Sequence, residues 1–150
     1  MDKHPNDNKK TEVTKDASVN DNKPQGPGEI KISYRMYIFV NMDLGMAKGK
    51  TAAQVGHVVQ YIVEDILRNY YEKRGKGAIE AYTAYKTWKD QGATKIILKA
   101  NEKEMEDLSS IPSSRKVYDA GKTQIPSGSF TVLGFFPCVY VSEFDKFKLL

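Results

Sequence analysis

The sequence predicts an α/β sandwich built on a small mixed β-sheet. Short runs of β-branched and aromatic residues are typical of strands, and longer segments with apolar residues at spacings of three and four are typical of helices. These segments follow one another in the order β-α-α-β-α-β-β. A chain with this alternation buries a sheet against helices in a layered fold.

A glycine-containing loop separates the first strand from the first helix. Residues 34–40 are aromatic and β-branched and predict a strand, and residues 43–50 form a loop with two glycines. A helix is predicted from Thr51 to about Tyr71, since one stripe of apolar residues recurs at helical spacing: Val55, Val58, Val59, Ile62, Val63, Ile66 and Leu67. Residues 78–90 predict a second helix that ends near Gly92.

The second half of the domain supplies three strands and one helix. Residues 95–99 and 115–118 predict strands, and residues 130–136 are the most apolar strand, which we expect in the centre of the sheet. Asn101 followed by Glu104 fits a capped helix start, and Pro112 ends that helix. A polar loop, residues 119–129, precedes the last strand.

The two ends of the chain differ in composition. Residues 1–29 have no aromatic residue and more acidic than basic ones, so we expect a disordered tail before a domain at residues 30–150. The domain carries an excess of basic residues, which is compatible with a polyanionic partner. We expect no membrane span and no secretory signal, and a single cysteine, Cys138, favours a reducing, cytoplasmic setting.

Several common catalytic sets have few candidate residues in this sequence. The only histidines are His4, in the tail, and His57, so a Ser-His-Asp triad has few candidates. One cysteine cannot build a thiolate cluster, and we find no motif typical of a metal site or of another cofactor site. Residues 45–51 nearly match a phosphate-binding P-loop, but only three residues separate the glycines where that loop has four.

Two polar segments remain as candidate sites. Lys50, Gln54 and His57 fall on one face of the first helix, although a solvated helix edge gives the same pattern. The loop 119–129 offers a carboxylate, hydroxyls and glycines, although a plain hairpin connection uses the same residue types. Two lysines at a helix start also favour binding of a phosphate or an oxyanion.

Both segments resemble signatures of the archaeal and eukaryotic type of peptidyl-tRNA hydrolase. Residues 43–57, DLGMAKGKTAAQVGH, resemble D-L-x-M-x-K-G-K-x-A-A-Q-x-x-H, and residues 119–134, DAGKTQIPSGSFTVLG, resemble D-A-G-x-T-Q-I-x-x-G-S-x-T-V-L-G. The resemblance covers about residues 34–150. Residues 111–116 look short for the family and residues 70–82 look extended, which concerns surface loops and the dimer contact more than the site.

The resemblance implies a three-layer α/β/α sandwich with a four-stranded mixed sheet, a homodimer and an esterase without a cofactor. Its substrate would be peptidyl-tRNA, cleaved at the ester to the 3′-terminal ribose. The implied catalytic residues are Lys50, Asp119, Thr123 and Thr131, and the implied substrate-binding residues are Lys48, Gln54, His57, Lys122 and Gln124. We expect Lys50 to pair with Asp119 in the free protein.

The residue pattern is compatible with two roles for Asp119 and with two functions for the domain. Asp119 would either deprotonate or orient the attacking water, and a non-catalytic RNA-binding module on the same fold is the rival to the enzyme. We also expect basic residues to contact tRNA phosphates, and candidates beyond the two motifs are Lys95, Lys99, Arg115 and Lys116.

Overall fold

A computed structural model describes residues 31–121 and 125–150. The compact unit that contains the fold extends from Ile32 to Leu150. The predicted tail, residues 1–29, and three predicted site residues, Lys122, Thr123 and Gln124, lie outside the described residues.

The elements occur in the predicted order. They are β1 (Met36–Asn41), α1 (Lys48–Tyr71), α2 (Lys76–Asp90), β2 (Lys95–Ala100), α3 (Glu102–Leu108), β3 (Ser114–Tyr118) and β4 (Phe130–Phe135). Single 3₁₀ turns, which were not predicted, occupy Met42–Leu44 and Ser142–Phe144. Helix α1 starts three residues before the predicted Thr51, because the Thr51 amide already donates to the Ala47 carbonyl at 2.9 Å.

The four strands form one mixed sheet in the order β2-β1-β4-β3. Strands β1 and β2 run parallel, whereas β4 runs antiparallel to both β1 and β3. The central position that the sequence predicts for β4 is confirmed, and all of its residues are buried. The C-terminal residues pair with the outer edge of β2, where the Lys99 amide donates to the Lys148 carbonyl at 2.8 Å.

Two hydrophobic clusters occupy opposite faces of the sheet. Met36, Ile38 and Val40 of β1 pack with apolar residues of α1 and α2, whereas Tyr37 and Phe39 pack with α3 and the C-terminal segment. Successive side chains of a strand point to opposite faces, so helices cover both sides of the sheet. This packing agrees with the predicted α/β sandwich.

A glycine lets α1 lie close to the centre of the sheet. A Cβ atom on Gly134 of β4 would stand 2.7 Å from Cγ2 of Val58 and 2.8 Å from Cδ1 of Ile62. Because α1 rests directly on β4, its N-terminal turns are fixed relative to the strand ends. Among the described residues, no helix is both long enough and apolar enough to cross a membrane.

Candidate functional site

The start of α1 and the end of β3 meet at one end of the sheet. Lys50 lies in the first turn of α1, and Asp119 directly follows the last residue of β3. The Lys50 ammonium and the Asp119 carboxylate form an ion pair, as the sequence led us to expect. Its side chains are 13% and 3% exposed, so the pair is largely shielded from water.

The Asp119 carboxylate is held at both oxygens. Oδ1 accepts from Lys50, and Oδ2 accepts from the backbone amide of Gly121 at 3.0 Å. The hydrogen bond from Lys50 lowers the pKa of the Asp119 carboxyl below its ordinary value, although burial acts in the opposite direction. Asp119 is therefore an anion at neutral pH.

The turn after β3 fixes the backbone around this carboxylate. The Asp119 amide donates to the Ser129 carbonyl at 2.9 Å, and the Gly128 amide donates to the Asp119 carbonyl at 3.0 Å. Gly121 has a φ of +82°, and a Cβ atom there would stand 2.6 Å from Cβ of Ser127. Glycine is required at this position because any side chain would be strained and would overlap the opposite limb of the loop.

A β-bulge brings Thr131 under the site. Val117 pairs with Val132 but Tyr118 pairs with Phe130, so Thr131 is the extra residue of β4. The Thr131 hydroxyl is fully buried and lies 2.6 Å from Oε1 of Gln54 and 3.1 Å from the Val117 carbonyl. A hydroxyl has one hydrogen to donate, and the shorter contact assigns it to Gln54. Thr131 therefore acts on the site through Gln54, which is 4% exposed.

The N-terminus of α1 is a region of positive potential. Its N-cap residue, Ala47, makes no side-chain hydrogen bond to the helix, and the first turn holds no acidic residue. Lys48 is exposed at this end and Lys50 points to Asp119. Cations at the positive end of a helix dipole destabilise the helix slightly, so their presence there suits an anionic ligand.

His57 lies away from the ion pair. It is exposed two turns further along α1, where its ring stacks on that of Tyr61 with the centroids 6.2 Å apart. Of the predicted site residues that the structure describes, Lys50, Gln54, Asp119 and Thr131 thus form one connected group through α1 and the strand ends. Lys48 and His57 lie on the exposed part of α1.

Asn41 is part of this end of the sheet and was missed by the sequence analysis. Its side chain is 1% exposed, and Nδ2 donates to the Phe130 carbonyl at 2.8 Å. Oδ1 accepts from the Asp43 amide at 3.0 Å. These bonds tie the end of β1 to the start of β4, next to Thr131. The available signal was a polar residue directly after an apolar strand.

The basic residues proposed to contact phosphates do not form one surface. Arg115 donates to Asp65 of α1 at 2.6 Å, whereas Lys116 donates to Glu106 of α3 at 2.7 Å. These neighbours in β3 therefore point to opposite faces of the sheet. Lys95 is the first residue of β2 and lies at the opposite end of the sheet from Asp119. Its ammonium lies 5.0 Å from the Trp88 ring centroid.

The group of Lys50, Gln54, Asp119 and Thr131 offers charged and hydrogen-bonding side chains. Within residues 31–121 and 125–150, no three His, Cys, Asp or Glu side chains are grouped so that they could hold a metal ion. A shielded carboxylate can orient a water molecule, and an ammonium at a helix N-terminus can stabilise an oxyanion. This combination suits the hydrolysis of an activated ester.

Comparison with known proteins identifies relatives. Residues 34–147 match the family described as Peptidyl-tRNA hydrolase PTH2. A Caenorhabditis elegans protein named probable peptidyl-tRNA hydrolase 2 is 36% identical over 113 residues, which are 71% of this chain and 33% of the relative. A Sulfolobus acidocaldarius protein named peptidyl-tRNA hydrolase is 37% identical over 109 residues, 69% of this chain and 86% of the relative.

The relatives differ in how much of their own length the match covers. A Saccharomyces cerevisiae protein named peptidyl-tRNA hydrolase 2 is 36% identical over 119 residues, 74% of this chain and 52% of the relative. The chain thus spans about a third of the nematode relative and about half of the yeast relative, but most of the archaeal one. Both motifs and the Lys50–Asp119 pair lie within residues 34–147.

Proposed function

The chain belongs to the peptidyl-tRNA hydrolase family, and on that premise we propose that it hydrolyses the ester between a peptide and the 3′-terminal ribose of tRNA. The observation that carries the proposal is the shielded ion pair between Lys50 and Asp119, which joins the two motifs at the end of the sheet. The reaction would return free tRNA to translation.

A water molecule held by Asp119 attacks the ester carbonyl, and the resulting oxyanion is stabilised by the Lys50 ammonium at the positive end of α1. The tetrahedral intermediate then breaks its bond to the ribose oxygen. That oxygen takes the proton that the attacking water gives up and leaves as the tRNA 3′-terminal hydroxyl. The peptide acid loses the second proton of that water to the solvent and leaves as a carboxylate.

The state of Asp119 favours an orienting role over that of a general base. A general base works best when its pKa lies near the working pH. The hydrogen bond from Lys50 instead lowers the pKa of Asp119, so the free enzyme holds a weakly basic carboxylate. An aminoacyl ester is activated, and a well-placed water therefore needs only modest assistance.

The remaining residues are assigned to substrate binding and positioning. Gln54 is anchored through its oxygen by Thr131, which leaves its amide nitrogen to donate to the substrate. We assign contacts with the tRNA 3′ end to the other polar residues of the two motifs: Lys48, His57, Lys122 and Gln124. Thr123 stays in the catalytic set that the resemblance implies, where its hydroxyl would hold the water or the terminal ribose. We further propose that the enzyme is a homodimer that needs no cofactor, as the resemblance implies. We also propose a cytoplasmic location, which the single cysteine favours.

The test is incubation of the purified chain with N-acetylated aminoacyl-tRNA in the presence of EDTA. We expect release of free tRNA, and much slower cleavage of aminoacyl-tRNA with a free α-amino group. A folded, dimeric sample that binds tRNA but leaves the ester intact would contradict the proposal. That result would favour the rival, a non-catalytic RNA-binding module on the same fold.

A further inference from the structure

Tyr118 is an exposed aromatic residue next to the shielded site. It is the last residue of β3, the edge strand of the sheet, and it directly precedes Asp119. Its side chain is 54% exposed, whereas Asp119 is 5% exposed. An open ring and a shielded carboxylate are thus consecutive along the chain.

The Tyr118 ring is supported from within the protein. Its centroid lies 5.6 Å from that of Phe130, which is buried. The Lys116 ammonium lies 5.9 Å from the Tyr118 centroid and 4.9 Å from the Phe130 centroid. Lys116 is itself fixed by its 2.7 Å hydrogen bond to Glu106. The ring therefore has a packed side and an open side.

A supported, open ring is suited to bases that are not paired. Proteins hold single-stranded nucleic acid largely by stacking its bases on aromatic side chains, and every base offers a face for stacking. The substrate of the proposed function carries its ester at such a strand, the unpaired 3′ end of tRNA. The Tyr118 ring packs with Phe130 on the α3 side of the sheet, whereas Lys50 reaches Asp119 from α1 on the other side. A base on Tyr118 would therefore hold the single strand at the end of β3, from where its ester can pass around the sheet edge to Asp119.

We propose that Tyr118 stacks against an unpaired base of the tRNA 3′ end and thereby positions the ester at the Lys50–Asp119 pair. The inference rests on the proposed function and adds a binding contact that neither motif contains. Stacking needs no base-specific hydrogen bond. Tyr118 therefore adds affinity and fixes the position of the tRNA 3′ strand without discriminating between base sequences. Tyr118 is a positioning residue, since its ring does not touch the reacting atoms.

The charge below the ring supports the same assignment. The hydrogen bond to Glu106 raises the pKa of Lys116 above its ordinary value, so the ammonium is charged at neutral pH. Because this ammonium is paired with Glu106, its contribution is to hold the Tyr118 ring by a cation–π contact.

The test measures binding of deacylated tRNA, with and without its single-stranded 3′ nucleotides, by fluorescence anisotropy. Tyr118→Ala should weaken binding of intact tRNA by about tenfold or more and leave binding of truncated tRNA within about twofold. Tyr118→Phe should keep wild-type affinity because it keeps the ring. Tyr71→Ala is the matched control, since Tyr71 is 71% exposed at the far end of α1.

Kinetics on N-acetylated aminoacyl-tRNA give the second readout. Tyr118→Ala should raise KM by a similar factor and change kcat by no more than about twofold. Equal weakening for intact and truncated tRNA, a loss confined to kcat, or an altered oligomeric state in light scattering would each overturn the proposal. A wild-type protein that binds the 3′ end through Tyr118 without cleaving the ester would refute the proposed function alone.

Discussion

Lys50, in the first turn of α1, donates a hydrogen bond to the Asp119 carboxylate, 69 residues later at the end of β3. The contact joins two segments that are polar in the sequence and distant along the chain. Each side chain neutralises the charge of the other in a position largely shielded from water, where an unpaired charge would destabilise the fold. In the proposed reaction, the same two charged groups orient the attacking water and stabilise the oxyanion.

The ion pair should make stability depend on pH in the acid range. The folded-state pKa of Asp119 is lowered relative to its ordinary value of 3.8, so its stabilising effect is complete above that value. The effect is lost as the pH falls through the lower folded-state pKa. Melting temperatures of wild type and Asp119→Asn should differ by a constant amount between about pH 5 and pH 7 and converge in strong acid. A difference that grows with acidity would contradict the assignment.

Thr131 should act through Gln54. Thr131→Val keeps the shape but removes the donor to Oε1 of Gln54, and a buried group that loses its partner costs about 1–3 kcal/mol. Denaturant unfolding should show that loss, and turnover should fall because Gln54 is no longer fixed. Thr131→Ser is the control, since it keeps the hydroxyl and should retain most of the activity. Unchanged stability and turnover in Thr131→Val would show that the contact is unimportant.

Two glycines should respond to alanine in opposite directions. Gly134→Ala forces a Cβ against the branched side chain of Val58 and should destabilise the fold by about 1–3 kcal/mol. Gly56→Ala has no atom within 4 Å of the added Cβ and lies within α1, so it should stabilise by about 0.5–1 kcal/mol. Chemical denaturation measures both. Equal effects would mean that α1 does not rest closely on β4.

The salt dependence of KM should show which basic residues contact the tRNA. We expect about three to five phosphate contacts, each changing log affinity by about 0.7 per log unit of salt on a single strand. Lys48→Ala, at the exposed start of α1, should remove about one such contact. Arg115→Ala should lower the melting temperature, because Arg115 binds Asp65 and covers Phe136, and should leave the slope unchanged. The measurement is KM for peptidyl-tRNA at three salt concentrations, and equal slopes for wild type and Lys48→Ala would remove Lys48 from the interface.

The sequence was sufficient for the fold because its periodicities are clear. The order and type of all seven helices and strands were predicted, and the capping box of Asn101 and Glu104 is present as expected. The start of α1 was placed too late because Lys48, Gly49 and Lys50 carry no apolar stripe. Backbone hydrogen bonds, which periodicity does not register, decide where that helix begins.

The site was less accessible to sequence analysis than the fold. The motifs identified Lys50 and Asp119, but the bulge that buries Thr131 depends on strand register, which no local pattern gives. Asn41 binds the Phe130 carbonyl 89 residues away, a contact that requires the folded sheet. Arg115 and Lys116 were grouped although adjacent residues of a strand point to opposite faces, and strand alternation alone would have separated them.

Single-turnover cleavage of N-acetylated aminoacyl-tRNA by variants of Lys50 and Asp119 tests the proposed mechanism most directly. Lys50→Ala and Asp119→Asn should each slow cleavage by at least about a hundredfold while remaining folded, the usual scale for such groups. The matched controls are Lys103→Ala and Asp107→Asn, from an exposed ion pair of α3, and both should be as fast as wild type. Wild-type cleavage rates in Lys50→Ala or Asp119→Asn would contradict the account.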